Sequence, residues 1–187
     1  MNWWQVITTI LGSSTISTLI TYLLNRRFNN KKLHAEIISK SRIDWINEFR
    51  ALTSKYIYET YKSIEEGKLA CHFEKLAKAS KKGSYDRKRY EDAYNKHIEK
   101  YNECVSNMTK YFIQIRLYLP NRSDGTSQEE HKKIKEDIKS ISKELNDAIN
   151  MKNEEQFLKI QRVDTQLLVD YIAQYLKTEW EKAKNKK

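Results

Sequence analysis

Residues 3–24 read WWQVITTILGSSTISTLITYLL, a stretch that no charged side chain interrupts although eight of its residues are Ser or Thr. As a helix rising about 1.5 Å per residue it reaches roughly 33 Å, enough for a bilayer core of about 30 Å. Val6, Ile7, Ile10, Leu11, Ile16, Leu19, Ile20, Leu23 and Leu24 each favour insertion by about 0.3–0.6 kcal/mol. The hydroxyls can return their hydrogen bonds to carbonyls one turn earlier, which makes them tolerable in lipid. Trp3 and Trp4 at one end and Tyr22 near the other match the aromatic belts of the two interfaces. The stretch predicts a transmembrane helix over 3–24.

The charges that flank the run set its orientation. No Lys or Arg precedes it, whereas Arg26, Arg27, Lys31 and Lys32 come directly after it. A cleaved secretory signal has the opposite order. Positive residues stay on the cytoplasmic side, so the sequence predicts a single pass through the inner membrane, with the amino terminus outside and 25–187 in the cytoplasm. Within the span, Ser13, Ser17 and Thr21 form a small-xxx-small ladder, and Thr8 with Gly12 forms a second such pair. Faces of this kind let helices approach closely, which predicts a homo-oligomer. The hydroxyls scatter around the whole helical wheel, so no polar stripe marks a pore lining.

The remainder is expected to be all-α. Among 187 residues there are four Gly and one Pro, and 32% of the residues are charged. So few chain breakers argue for long helices with brief connections. Apolar residues recur at helical spacing at Leu33, Ile37, Trp45, Phe49, Leu52, Tyr56 and Ile64, predicting a long helix that ends before Gly67. A short helix with Leu69, Phe73 and Leu76 comes next, and a third runs from Tyr85 to Pro120. The main loop is 120–127, and Ser127 with Glu130 fits a capping box at the next helix start. Ile134, Ile138, Ile141, Leu145 and Ala148 make a stripe, NMKN (150–153) interrupts, and a last helix carries Leu158 to Trp180. The expected architecture is a transmembrane helix followed by an up-and-down helical bundle.

Catalytic patterns are sparse. His34, His72, His97 and His131 show no metal-ligand spacing, and Cys71 and Cys104 read as buried free thiols. There is no glycine-rich phosphate loop and no nucleophile elbow, so a non-enzymatic protein without metal or cofactor is expected. The formal net charge is +10. KLAKASKKGSYDRKR (75–89) holds seven cations, among them Lys78, Lys81, Lys82, Arg87, Lys88 and Arg89, against the single acid Asp86. Such a cluster reads either as a solvated turn or as a contact for RNA or anionic headgroups.

Three resemblances add expectations. Ser41, Arg42, Trp45, Ile46, Phe49 and Arg50 match S-R-x-x-W-I-x-x-[FL]-R, a pattern similar to one in short single-pass bacterial and prophage proteins, where it stands shortly after the anchor. Physically the match reads as a packing seam of Trp45 and Phe49 edged by Arg42 and Arg50. Arg27-FNNKKL-His34 resembles the Arg-x(4–6)-His motif of HEPN ribonucleases in spacing, but Phe28 comes after the arginine where that family prefers a polar residue. By layout, an amino-terminal span before a helical domain, the chain resembles the pore-forming accessory membrane protein of type VI-B CRISPR systems. The leading expectation is a membrane-anchored, self-associating protein of bacterial antiphage defence that disturbs the inner membrane. The alternatives are a tethered interaction module that recruits a protein partner and a HEPN-like RNA-binding bundle.

Overall fold

The computed structural model describes residues 3–120 and 128–184, with the side chains of 4–17, 19 and 20 excepted. All regular structure among them is helical: α1 (Trp3–Ala79), α2 (Tyr85–Tyr118), α3 (Glu129–Met151), α4 (Glu154–Lys159) and α5 (Thr165–Lys184), with a π-helical turn, Ile160–Asp164, between α4 and α5. The chain divides into two units. One comprises Met1–Asp44 with Trp180–Lys187, and the other Trp45–Glu179.

Helix ends obey local chemistry. Gly83, at φ 78°, turns the chain after α1, and Ser84 then caps α2 by accepting the Arg87 amide at 3.2 Å. Pro120 stands just past the end of α2, where it disfavours helical geometry at Leu119. Lys152 closes α3 in the left-handed region, and the Asn153 amide reaches back to the Ala148 carbonyl at 3.0 Å. Asn153 then caps α4 by accepting the Gln156 amide. The N-cap of α3 is Gln128, which makes no side-chain capping bond. This corrects the capping-box expectation, and Ser127 itself lies outside the described residues.

Gly67 supplies a second correction. The sequence predicts a break there, yet α1 runs through it without interruption to Ala79. An internal glycine costs about 1 kcal/mol relative to alanine, too little to end a helix that packing supports. The glycine is needed for a close approach. A Cβ at Gly67 would stand 2.5 Å from Cζ and 2.7 Å from Cε1 of Phe157, whose ring is fully buried.

Within Trp45–Glu179 four helical segments pack up and down. α1 and α2 run antiparallel: the Trp45 indole N–H donates to the Tyr118 carbonyl at 3.3 Å, and further along Glu66 meets His97 and Phe73 meets Tyr90. α2 passes to α3 with Tyr101 donating to the Leu145 carbonyl at 3.0 Å. α3 passes to α4 and α5 through Lys159 to Glu144 and His131 to Tyr175. The last segment closes on α1, Phe157 against Gly67 and Tyr175 edge-on to Phe49. The core takes Ile46, Phe49 and Ile64 from α1, Met108 and Ile115 from α2, Ile134 to Ala148 from α3, and Ile160, Leu168 and Ile172 from the last segment. Each large apolar side chain buried there contributes about 1.5–3 kcal/mol.

Buried hydroxyls on α1 are satisfied locally. Thr53 donates to the Phe49 carbonyl, Thr60 to Tyr56 and Ser63 to Thr60. Tyr56 reaches across to the Ile138 carbonyl, and burial pushes its hydroxyl up to about 12. In the other unit, Ser39 donates to the Ala183 carbonyl at 3.0 Å, and both residues are buried.

The predicted transmembrane helix forms the first part of α1. Among the described residues no helix is long and apolar enough to cross a membrane. The side chains of 4–17, 19 and 20, which carry most of the apolar run, lie outside those residues.

Gly67→Ala is expected to destabilise the bundle by about 1–3 kcal/mol, because overpacking against Phe157 outweighs the roughly 1 kcal/mol gained in helix propensity. Urea titration measures this, and adding Phe157→Leu should restore part of the loss. Equal or greater stability of the single variant would refute the close-approach role.

Candidate functional site

The residues singled out by sequence fall into four places. At the expected membrane junction, Arg26, Arg27, Lys31 and Lys32 are exposed and make no ion pair among the described residues. Tyr22, Leu23, Leu24 and Phe28 around them are also exposed, Phe28 at 74%. Arg27 and His34 line one shallow groove with Leu23, Arg26, Asn30 and Lys31. In the small-residue ladder, the side chains of Thr8, Gly12, Ser13 and Ser17 lie outside the described residues, while Thr21 is exposed.

The seam divides by burial. Phe49 is fully buried and Trp45 half-buried, their rings stacked at 5.3 Å and 8°. Tyr175 meets both edge-on, and His131 packs edge-on against Tyr175. The His131 Nδ1–H donates to the Pro120 carbonyl at 3.2 Å, which leaves Nε2 to accept from the Tyr175 hydroxyl at 2.8 Å. Arg42 is half-buried, and Arg50 is exposed. Sequence reading missed this aromatic and histidine cluster, although a signal was there. His131 stands one turn before Ile134, at the head of the apolar stripe of α3.

The basic cluster is less bare than it reads in sequence. Lys75 pairs with Glu154 of α4 at 2.8 Å, Lys78 with Glu74 at 3.0 Å, and Arg87 with Glu91 at 2.8 Å. Lys152 also reaches Glu74. Burial works to raise the Glu74 carboxyl, but Lys152 and Lys78 more than offset it and hold it below its ordinary range. Lys81, Lys82, Lys88 and Arg89 make no ion pair among the described residues, and Tyr85 between them is 82% exposed.

Two further polar groupings emerge only from packing. Glu66 accepts from His97 at 2.6 Å and lies 3.6 Å from Lys100, while Phe73 stacks on the His97 ring at 5.3 Å. Beside the π-helical turn, Lys159 bridges Glu144 at 3.1 Å and Asp164 at 3.8 Å. The adjoining groove, about 350 Å³, is lined by Lys133, Asp137, Ser140, Asp164, Asp170 and Tyr171, among others. Asp164 Oδ2 is buried without a hydrogen bond, and burial together with nearby Glu144 raises its carboxyl above the ordinary range. A π turn adds a residue to the helix and re-aims the side chains around it.

The chemistry open to these groups is limited. Burial pushes the Cys104 thiol up to about 11 and raises Cys71 as well, so neither supplies thiolate at neutral pH. Among the described residues no group of three or more His, Cys, Asp or Glu is placed to hold a metal. Comparison with protein-family models, with curated proteins and with solved structures finds no match to this chain.

The raised Asp164 carboxyl makes a signed prediction. A native state that holds this proton more tightly than the unfolded chain loses stability as pH rises from the ordinary Asp value through the raised one. Asp164→Asn should therefore melt higher than the parent at about pH 7, with the gap closing below about pH 4. Thermal melts across that range test it. A variant that melts lower at neutral pH would mean that the Lys159 contact dominates.

Proposed function

We propose that the chain is a membrane-anchored, self-associating helical protein of bacterial antiphage defence that acts by assembling in, and disturbing, the inner membrane. The observation that carries the reading is the order along one helix: 22 uncharged residues (3–24), then Arg26, Arg27, Lys31 and Lys32, all within α1. Exposed Tyr22, Leu23, Leu24 and Phe28 support it, because large apolar side chains left bare at the end of such a run favour lipid over water. Self-association draws on the ladder of Thr8, Gly12, Ser13, Ser17 and Thr21. The defence role draws on the layout resemblance to the type VI-B accessory membrane protein.

A tethered interaction module is the second reading. Ile113 and Leu117 favour it, being 55% and 76% exposed on the outer face of α2, with Leu117 lining a groove with Leu52 and Tyr118. A HEPN-like RNA-binding bundle is the third. It draws on Lys81, Lys82, Lys88 and Arg89, whereas Lys75, Lys78 and Arg87 already have acidic partners.

Replacing 3–24 with a plain Leu/Ala span separates the first two readings. Under the proposal, the full chain runs as an oligomer in mild detergent and depolarises cells when overexpressed, while the replaced chain stays in the membrane but does neither. A parent chain that is monomeric and leaves membrane potential unchanged sinks the proposal, and a replaced chain that keeps full activity supports the tether.

A further inference from the structure

We infer that residues 22–32 of α1 form a binding surface for anionic phospholipid headgroups. The inference rests on the reading of 3–24 as a membrane span and adds the lipid class that the junction selects. Tyr22, Leu23 and Leu24 are consecutive and exposed at 59%, 53% and 61%, so at about 100° per residue they present apolar surface around more than half of the helix circumference. Phe28, one turn beyond Leu24, is 74% exposed. Arg26, Arg27, Lys31 and Lys32 also point in several directions around the helix, each exposed and none ion-paired among the described residues.

Charge complementarity selects the occupant. From residue 25 to residue 43 the lone acid is Glu36, against Arg26, Arg27, Lys31, Lys32, Lys40 and Arg42. A second copy packed in parallel along this segment would face those cations with the same cations, and a helix on one side would leave the other apolar directions bare. Lipid surrounds the whole circumference. Arginine offers a forked pair of donors to a headgroup phosphate, lysine snorkels to the same depth, and Leu23, Leu24 and Phe28 lie against the acyl boundary. Phosphatidylglycerol is the probe chosen, because it carries a net negative charge on that phosphate where phosphatidylcholine is neutral overall.

The test uses the full chain reconstituted in phosphatidylcholine vesicles, with and without about 30 mol% phosphatidylglycerol. Flotation after an alkaline carbonate wash reads the span. The association of spin-labelled phosphatidylglycerol relative to spin-labelled phosphatidylcholine reads the junction. We expect wash-resistant flotation in both vesicles and about a threefold or greater preference for phosphatidylglycerol at low salt. The preference should fall towards one at about 0.5 M salt and in the variant with Arg26, Arg27, Lys31 and Lys32 all changed to Gln, which should still float. Flotation without lipid preference overturns this inference and leaves the span standing, whereas loss of flotation overturns both. High-yield disulfide dimers from Phe28→Cys with no lipid preference would assign the surface to a second copy, which also overturns it.

Discussion

The bundle of Trp45–Glu179 depends on the contact between Gly67 and the Phe157 ring. It lets α4 lie close against α1, and the ring that fills the space also meets Tyr101 of α2 edge-on at 6.3 Å. Three of the four segments are therefore tied at one point. The π-helical turn immediately beyond, Ile160–Asp164, lets the last segment change register before α5 sets Leu168 and Ile172 into the core. A larger side chain at position 67 would push α4 outward and pull those residues with it.

The second constraint is electrostatic. Three cations that belong to one bare cluster in sequence are neutralised in the fold, one by its own turn of helix, one by the next turn along α2, and one by Glu154, which is 79 residues away along the chain. Exposed pairs of this sort contribute about 1 kcal/mol or less each. Their main consequence here is for recognition, since a paired lysine has less charge to offer a phosphate. The cations after residue 25 differ: they stand on a helix whose own segment supplies one acid. That difference separates the proposed lipid contact from Lys75, Lys78 and Arg87, whereas Lys81 and Lys82 in the turn make no ion pair among the described residues.

Helix α1 holds both the uncharged run and residues that build the bundle. Trp45 and Phe49, which read in sequence as a seam, stack on each other and on Tyr175 inside one unit. Their surface is largely spent within the chain. Exposed apolar side chains lie elsewhere, among them Tyr22 to Phe28, Leu33, Ile37 and Tyr58 on α1, Tyr85, Ile113 and Leu117 on α2, Met151 on α3 and Leu167 on α5.

Helical periodicity by itself determined the all-α class, the extents of α2 and α3, the interruption at NMKN and most of the core face, because spacing by three and four is a local property of the chain. The stripe from Ile134 to Ala148 is buried as its pattern predicts. Only the tertiary structure decided what Gly67 does. Its local propensity argues for a break, and the reason for a glycine there sits ninety residues away in Phe157. The same holds for His131 with Tyr175, Glu66 with His97, and Glu154 with Lys75, whereas Lys78 with Glu74 and Arg87 with Glu91 are four-residue pairs along one helix and local. Contacts between helices depend on how elements dock, and a linear pattern of charge or hydropathy does not encode which distant side chain arrives to share a surface.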